Sequence, residues 1–435
     1  MDVIIIGAGA AGLMAAKKLV EAGHKVCVLE ARDRIGGRIY TFNDGALPTS
    51  LEGGAEFIHG NLEVTVELLK EAGIETKEIK GDVWEITGGK WKQENDFFKN
   101  TELVIKRLKE VKEDVSIGTF IEKYFLGEKY KGLRESLTAY VEGYYSGEIN
   151  RTSSIAFLQE WLSEDEQQYR PLEGYGRLMN YLAESTWKRG GRIELSTIVK
   201  EISWKKGQVE VTSETGQAYI GQKAIITVPL GIWTAEEQAT GAIRYVPALP
   251  AKKDAAKRLG FGSVIKVLLG FKTIFWEDEA VKKQAKKDLR QLHMALSDQP
   301  IPTWWTQLPN KLPLLTGWLS GPRAYKMKDK NEDVILQAAL NSVSSIFKVS
   351  IEILKENLLF SRVFNWTNDP FTRGSYSYST IETIEARKLL MAPVEETLFF
   401  AGEALYEGPE MGTVEAALTS GMNVALKVIE PSSAF

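Results

Sequence analysis

Val3-Ile4-Ile5-Ile6-Gly7-Ala8-Gly9-Ala10-Ala11-Gly12 opens the chain, followed by Leu13 to Glu21 and then Gly23. Four β-branched residues in a row predict a short strand buried on both faces of a parallel sheet. The next residues carry helical spacing, and Gly23 is a helix stop. A second strand is expected over Lys25 to Leu29, ending at Glu30, which lies 18 residues beyond Gly12. That interval is close to the ~20 residues of a dinucleotide-binding unit. Gly7 permits the tight turn, Gly9 lets the backbone approach a pyrophosphate, and Gly12 lets helix and strand pack closely. The helix N-terminus then presents free N–H groups and a positive dipole end to phosphates. Glu30 can accept hydrogen bonds from ribose hydroxyls, and its charge disfavours a 2′-phosphate.

Working outward, Gly36-Gly37-Arg38 follows Glu30 directly and predicts a second backbone loop over the cofactor, with guanidinium charge near the pyrophosphate. Gly53-Gly54-Ala55-Glu56-Phe57-Ile58-His59-Gly60 is a small-residue stretch suited to close approach by a flat ring. Thr397 to Phe400 reads as a strand leading into Ala401-Gly402-Glu403. Met411-Gly412-Thr413-Val414 then starts a helix that runs to about Val428, a second N-terminus able to face a negatively charged carbonyl.

Composition narrows the function classes. The 435 residues are 44% hydrophobic and 26% charged, with 54 Lys+Arg against 58 Asp+Glu. A polyanion-binding protein needs a cationic excess that is absent here, so nucleic acid is not an expected partner. The single cysteine, Cys27, excludes a disulfide framework, reads as core filler, and argues against a cysteine-linked cofactor. Three scattered histidines give no helical metal-binding pair, and no metal is expected. No secretory or lipidation signal and no run of ~18 apolar residues is present, so the expectation is a cytoplasmic protein without a membrane span.

These motifs, taken in order, resemble the flavin-containing amine oxidases: the monoamine and polyamine oxidases and the flavin histone demethylases. The likeness rests on the glycine turn at Gly7, EARDRIGGR from Glu30, GGAEFIHG from Gly53, EGYGRL from Glu173, and ITVPLGI from Ile226. It continues through GFGSVIKVLLGF from Gly260, WTNDPFTRGSYSY from Trp366, and FAGEALYEGPEMGTVEAALTSG from Phe400. The implied fold is α/β, a Rossmann-like FAD-binding domain with a discontinuous α+β substrate domain. The expected division is 1–78, 172–245 and 392–435 for the FAD-binding part, and 79–171 with 246–391 for the substrate part. The first insertion is expected to be helical, with Leu103, Val104, Leu108, Val111 and Val115 on one stripe. The second is expected to hold strands near Val264–Phe271 and Leu314–Ser320 and a helix near Val334–Phe347.

The resemblance implies FAD, at Gly7, Gly9, Ala11, Gly12, Glu30, Arg32, Gly37 and Arg38. It also implies Gly54, Ala55, Glu56 and Phe57 along the flavin, Val199 at the adenine, and Gly402 and Glu403 at the ribityl–pyrophosphate region. Thr413 and Val414 are placed beside the ring, and Trp366 is placed near it or in the core. Three residues are implied in chemistry. Lys266 lies in a nearly all-apolar strand, where it is either buried, with desolvation favouring its neutral form, or an edge lysine facing solvent. The likeness gives it a water beside the flavin. Tyr376 is one wall of an aromatic cage or a packing residue, and the opposite wall carries Thr413 instead of tyrosine. His59 faces the substrate nitrogen or is a core histidine.

No arginine follows the small-residue stretch to hold a carboxylate, which favours a simple amine over an amino acid. Glu142, Glu148 and Glu164 are candidate acids for a polycationic amine, and Trp304-Trp305 either line a pocket or fill the core. The implied activity is oxidation of a primary or secondary amine, with O2 as acceptor and hydrogen peroxide as product. Two alternatives stand beside it: a flavin desaturase or porphyrinogen oxidase, and a catalytically idle flavoprotein scaffold suggested by Thr413 and Ala416.

Overall fold

The computed structural model describes residues 1–60, 62–93, 98–163 and 167–430. Its first sheet is built from five parallel strands in the order Arg192–Glu194, Val26–Leu29, Val3–Ile6, Lys223–Ile226, Leu398–Phe400. Alternation along Val3–Ile6 explains why all four residues are apolar. Val3 and Ile5 pack with Leu13, Leu178, Leu182 and Leu418 from the helices Ala10–Glu21, Gly176–Trp187 and Val414–Ile429. Ile4 and Ile6 face the other way, onto Ile202, Val209 and Val211 of a four-stranded sheet that also contains Val199. Both sides are covered, as a parallel sheet requires.

The first helix begins at Ala10, earlier than the spacing from Leu13 suggests, and ends at Glu21. Gly7 has a φ of 105°, which favours glycine. A Cβ on Gly12 would lie 2.0 Å from the Gly7 carbonyl oxygen, so this turn accepts no side chain. The final helix is pressed against the first just as tightly: a Cβ on Gly421 would lie 2.2 Å from the Ala11 carbonyl oxygen. This seat fixes where its N-terminus, at Val414, points.

The second large sheet has seven strands, in the order Leu358–Asn365, Val264–Phe271, Leu314–Ser320, Thr303–Trp305, Leu292–Ser297, Asp82–Thr87, Lys90–Gln93. One face carries Ile265, Val267, Leu269, Leu315, Leu319 and Trp304, which pack on the helix Glu332–Phe347. On the other face Leu268 and Leu314 pack with Leu47, Leu51 and Phe360, and the remainder borders the cavity described below. A three-stranded sheet joins Ile58–His59 and Thr76–Glu78 to Gln168–Pro171. Because Ile58 pairs with Tyr169, Arg170 arrives beside Phe57.

The expected apolar stripe is cut short. Its helix spans Thr101–Leu108 only, and Val111 and Val115 lie beyond it, although both still pack on the same cluster. Burial, and not helical continuation, produced that spacing. Among the described residues, no single helix is long and apolar enough to cross a membrane.

Gly421→Ala forces its new methyl against the Ala11 backbone and is expected to cost about 1–3 kcal/mol. Gly143→Ala, where a Cβ meets nothing within 4 Å, is the control. Thermal melting should show a lower Tm for G421A alone.

Candidate active site

A single cavity of about 1530 Å³ runs from the glycine turn of the first sheet to the open face of the second. Gly7, Gly9, Ala11, Glu30, Arg32, Gly37, Arg38, Val199, Gly402 and Glu403 line one part of it. Gly54, Ala55, Glu56, Phe57, His59, Lys266, Trp366, Tyr376, Thr413 and Val414 line the rest. Of the residues expected at the cofactor or in the chemistry, Gly12 alone is absent from the wall, since it acts by packing.

Several features fit a dinucleotide. A Cβ added at Gly9 or at Gly402 would meet nothing within 4 Å, so both backbones border open space at the helix end and at the last strand. Glu30 is buried, and its two carboxylate oxygens accept from the Ala8 N–H at 2.7 Å and the Arg32 N–H at 3.0 Å. These bonds orient the carboxylate and leave lone pairs for a diol. The Thr197 N–H donates to the Glu30 carbonyl, which brings the start of the Val199 strand alongside. Arg38 donates to Glu403 at 2.8 Å, while Arg32 makes a two-armed pair with Asp369 at 2.5 and 2.9 Å. Both arginines border the cavity with their geometry set from behind. Trp366 is 7% exposed and donates its indole N–H to the Gly53 carbonyl at 3.0 Å.

Lys266 is fully buried, on an interior strand with neighbours on both sides. The solvent-facing edge reading is therefore wrong. The buried reading holds, and the amine has partners there: it donates to Glu56 Oε2 at 2.7 Å and to the Gly54 carbonyl at 3.0 Å. Glu56 also pairs with Arg170 at 2.9 Å and accepts from the Trp305 indole at 3.2 Å. Burial alone would push the Glu56 carboxyl up, but Lys266 and Arg170 outweigh it and hold the group below the usual carboxylate range. Glu52, in the same segment, has no such direct cation among the described residues, and burial pushes its carboxyl up to about 7 despite bonds from Thr41 and the Tyr175 N–H.

The aromatic side of the cavity has no second tyrosine wall at position 413, as the sequence indicates. Thr413 lines the cavity but brings no ring to it: its hydroxyl accepts from the Ala416 N–H and donates to the Glu410 carbonyl, capping the last helix. Tyr376 instead stacks on Trp318, with centroids 6.4 Å apart at 17°. From Trp318 the ring contacts continue to Trp305, Phe57, His59 and Tyr144. The Tyr376 hydroxyl donates to the Tyr144 carbonyl at 2.5 Å, so the series returns to its start. All six side chains line the cavity. Trp318 was missed in the sequence, as was Arg170. Register is the signal that would have found Trp318, since it pairs directly across from Lys266. Trp305 lines the cavity while Trp304 fills the core.

His59 is pushed down to about 4 by burial, and its Nδ1 has no hydrogen-bond partner among the described residues. His293, on the far side of Phe57, is also pushed down to about 4, by burial and then by Arg170. Among the acids, Glu142 lines the cavity, whereas Glu148 is exposed, lies outside the cavity wall and sits 3.9 Å from Arg151. Glu164 lies outside the described residues. Glu160 and Glu410, not singled out beforehand, do line it.

The two histidines and Glu52 set opposing pH dependences. A histidine at about 4 when folded and ~6.5 when unfolded keeps its full stabilising contribution above ~6.5 and loses it as pH falls toward 4. Glu52, raised from 4.5 to about 7, works the other way, losing stability as pH rises through that window. Between roughly pH 4.5 and 6.5, E52Q should therefore lose Tm toward acid more steeply than the unmodified protein, and H293Q less steeply. Equal slopes for all three would refute these assignments.

Residues 10–429 match the family model described as flavin containing amine oxidoreductase. Rice polyamine oxidase 3 is 27% identical over 98% of this chain and 90% of its own length. Mouse lysine-specific histone demethylase 1B is 27% identical over 98% of this chain. The chain spans only about half of that demethylase, 52% of its length. In fold, it is similar to cyclohexylamine oxidase from Brevibacterium oxydans, with a TM-score of 0.79 at 20% identity, covering 100% of this chain and 99% of the other. Putrescine oxidase bound to putrescine gives 0.78 at 20% identity, covering 98% of each. With nearly its whole length matched, the chain belongs to the flavin-containing amine oxidoreductases.

Proposed function

We propose that the protein is an FAD-dependent oxidase of a primary or secondary amine that lacks a carboxylate, with polyamines within its range. The observation that carries this reading is Lys266, a buried cation on the wall of the same cavity that the glycine turns border. The chemistry supplied by bound FAD is acceptance of a hydride from the carbon next to the amine nitrogen, with O2 as final acceptor and hydrogen peroxide as product.

The residues present suit that cofactor. Gly7, Gly9, Ala11 and Gly12 would hold the pyrophosphate against the first helix, Glu30 the adenosine ribose, and Val199 the adenine. Arg32, Gly37, Arg38, Gly402 and Glu403 would border the linking phosphates and ribityl chain. Gly54 to Phe57, Trp366, Thr413 and Val414 would surround the ring. In this reading 1–78, 172–245 and 392–435 carry the cofactor, and 79–171 with 246–391 cover it.

The rest falls to side chains in the cavity. An amine must be uncharged to lose hydride, and the aromatic series from Tyr376 to Tyr144 replaces water around it with ring faces and edges. His59 is neutral over the physiological range and can accept a hydrogen bond from the nitrogen. Lys266 supplies a fixed donor beside the reacting region. The cavity acids Glu142, Glu160 and Glu410 suit a second, charged nitrogen, in keeping with relatives named polyamine oxidases in rice and Arabidopsis.

Anaerobic titration with monoamines, diamines, polyamines and amino acids should bleach the flavin absorbance with the amines and leave it unchanged with the amino acids. No bleaching by any amine would refute the oxidase reading. Lys266→Met should slow flavin reduction by about 100-fold or more, and full activity in K266M would favour desaturase-type chemistry. Gly9→Ala, whose methyl would enter open cavity, should keep its Tm as apoprotein yet lose FAD on gel filtration.

A further inference from the structure

We propose that Glu56 is a positioning residue for Lys266: its carboxylate fixes the ammonium at one point of the cavity wall, so that the lysine presents a single N–H to whatever lies there. The inference rests on the reading of Lys266 given above and goes beyond it, since it changes Glu56 from a residue that lines a flavin into one that aims another side chain.

The donor count carries the argument. An ammonium has three N–H groups and no acceptor. Glu56 takes one at 2.7 Å and the Gly54 carbonyl takes another at 3.0 Å, which leaves one for a molecule in the cavity. The Trp305 ring, 5.6 Å from Nζ, closes a further side. Glu56 is itself immobilised by the Arg170 guanidinium and the Trp305 indole. Arg170 is in turn held by Gln307 Oε1 at 2.6 Å and the Thr306 carbonyl at 3.2 Å, and lies 4.8 Å from the Phe57 ring centroid. Side-chain exposures of 1% for Lys266, 5% for Glu56 and 8% for Arg170 leave none of the three free to swing into water.

Stability alone is a poor reason for such a cluster, because apolar residues of similar volume commonly serve as well in a core. The cluster is also anchored on three different elements: Lys266 on Val264–Phe271, Arg170 on Gln168–Pro171 and Trp305 on Thr303–Trp305. Glu56, from the glycine stretch, ties them together. That arrangement suits a lysine required at one place.

The test is a double-mutant comparison of E56Q, E56D, K266M and the pairwise combinations as holoenzymes. Loss of aim should lower the limiting rate of anaerobic flavin reduction by E56Q about 10- to 100-fold with little change in KM. E56D, which keeps the charge but shortens its reach, should fall between E56Q and the unmodified enzyme. In the K266M background neither change should slow reduction further. Additive slowing there would overturn the proposal, even if melting temperatures showed Glu56 and Lys266 to be coupled. Should E56Q fail to fold, the E56D comparison decides by the same criterion. A second readout needs no substrate: in protein labelled with 13C at lysine Cε, the resonance lost in K266M should shift or broaden in E56D. An unchanged resonance would overturn the pairing. If no amine reduces the flavin, the oxidase reading fails while this spectrum still reports on Glu56.

Discussion

A buried ammonium cannot be left without a counter-charge, and much of the architecture around the cavity follows from that constraint. Lys266 lies on an interior strand of the seven-stranded sheet, and the anion that answers it, Glu56, comes from the glycine stretch beside the cofactor end. A second strand, Gln168–Pro171, delivers Arg170 to the other side of the same carboxylate. Three stretches far apart in sequence are thereby locked in one relative position. Lone charges at such depth would be costly, so the pairings constrain the packing as firmly as the apolar contacts around them.

The open face of that sheet is organised by register. Lys266 stands opposite Trp318, Trp318 opposite Thr303, Thr303 opposite Leu296, and Leu296 opposite Glu85. All five residues line the cavity. Their neighbours one step along, such as Ile265, Trp304, Ala295 and Ile86, belong to the core beneath. Period-two alternation thus assigns alternate residues of four strands to opposite tasks. It explains why one tryptophan of the Trp304-Trp305 pair fills the core while its neighbour meets the cavity.

The same distinction explains what could be read from the sequence. The glycine turn, the strands at Val3 and Val264 and the final helix were legible because the rules that fix them act within about ten residues. Lys266 was legible as an anomaly, a charge among apolar neighbours. Its partner was not, because Glu56 precedes it by 210 residues and nothing local in the glycine stretch marks that residue as an ion-pair acceptor. Arg170 and Trp318 were hidden for the same reason: each owes its place to strand pairing. Val111 and Val115 show the converse, since a correct sense of burial became a mistaken extension of a helix.

Thr413 shows how a departure from a family pattern can be absorbed. With threonine there, the position gives its hydroxyl to the turn that starts the last helix, and that helix is held against the first by the close approach of Gly421 to Ala11. The capping role keeps the helix N-terminus in place at the cavity wall, which a bulky ring would not do through its side chain. The aromatic surface is then built from the opposite direction, by Trp318 on the sheet and Tyr144 on the helical insertion, with Tyr376 bonded to the backbone of the latter. Trp318 also donates its indole N–H to the Gly143 carbonyl at 3.3 Å, so sheet and insertion meet at the residue that neighbours Lys266 in register. A wall made this way shares supports with the buried ion pair, through Trp305 and Phe57. Cavity shape and the position of the lysine are therefore set by one group of contacts, and a change in either would be felt by the other.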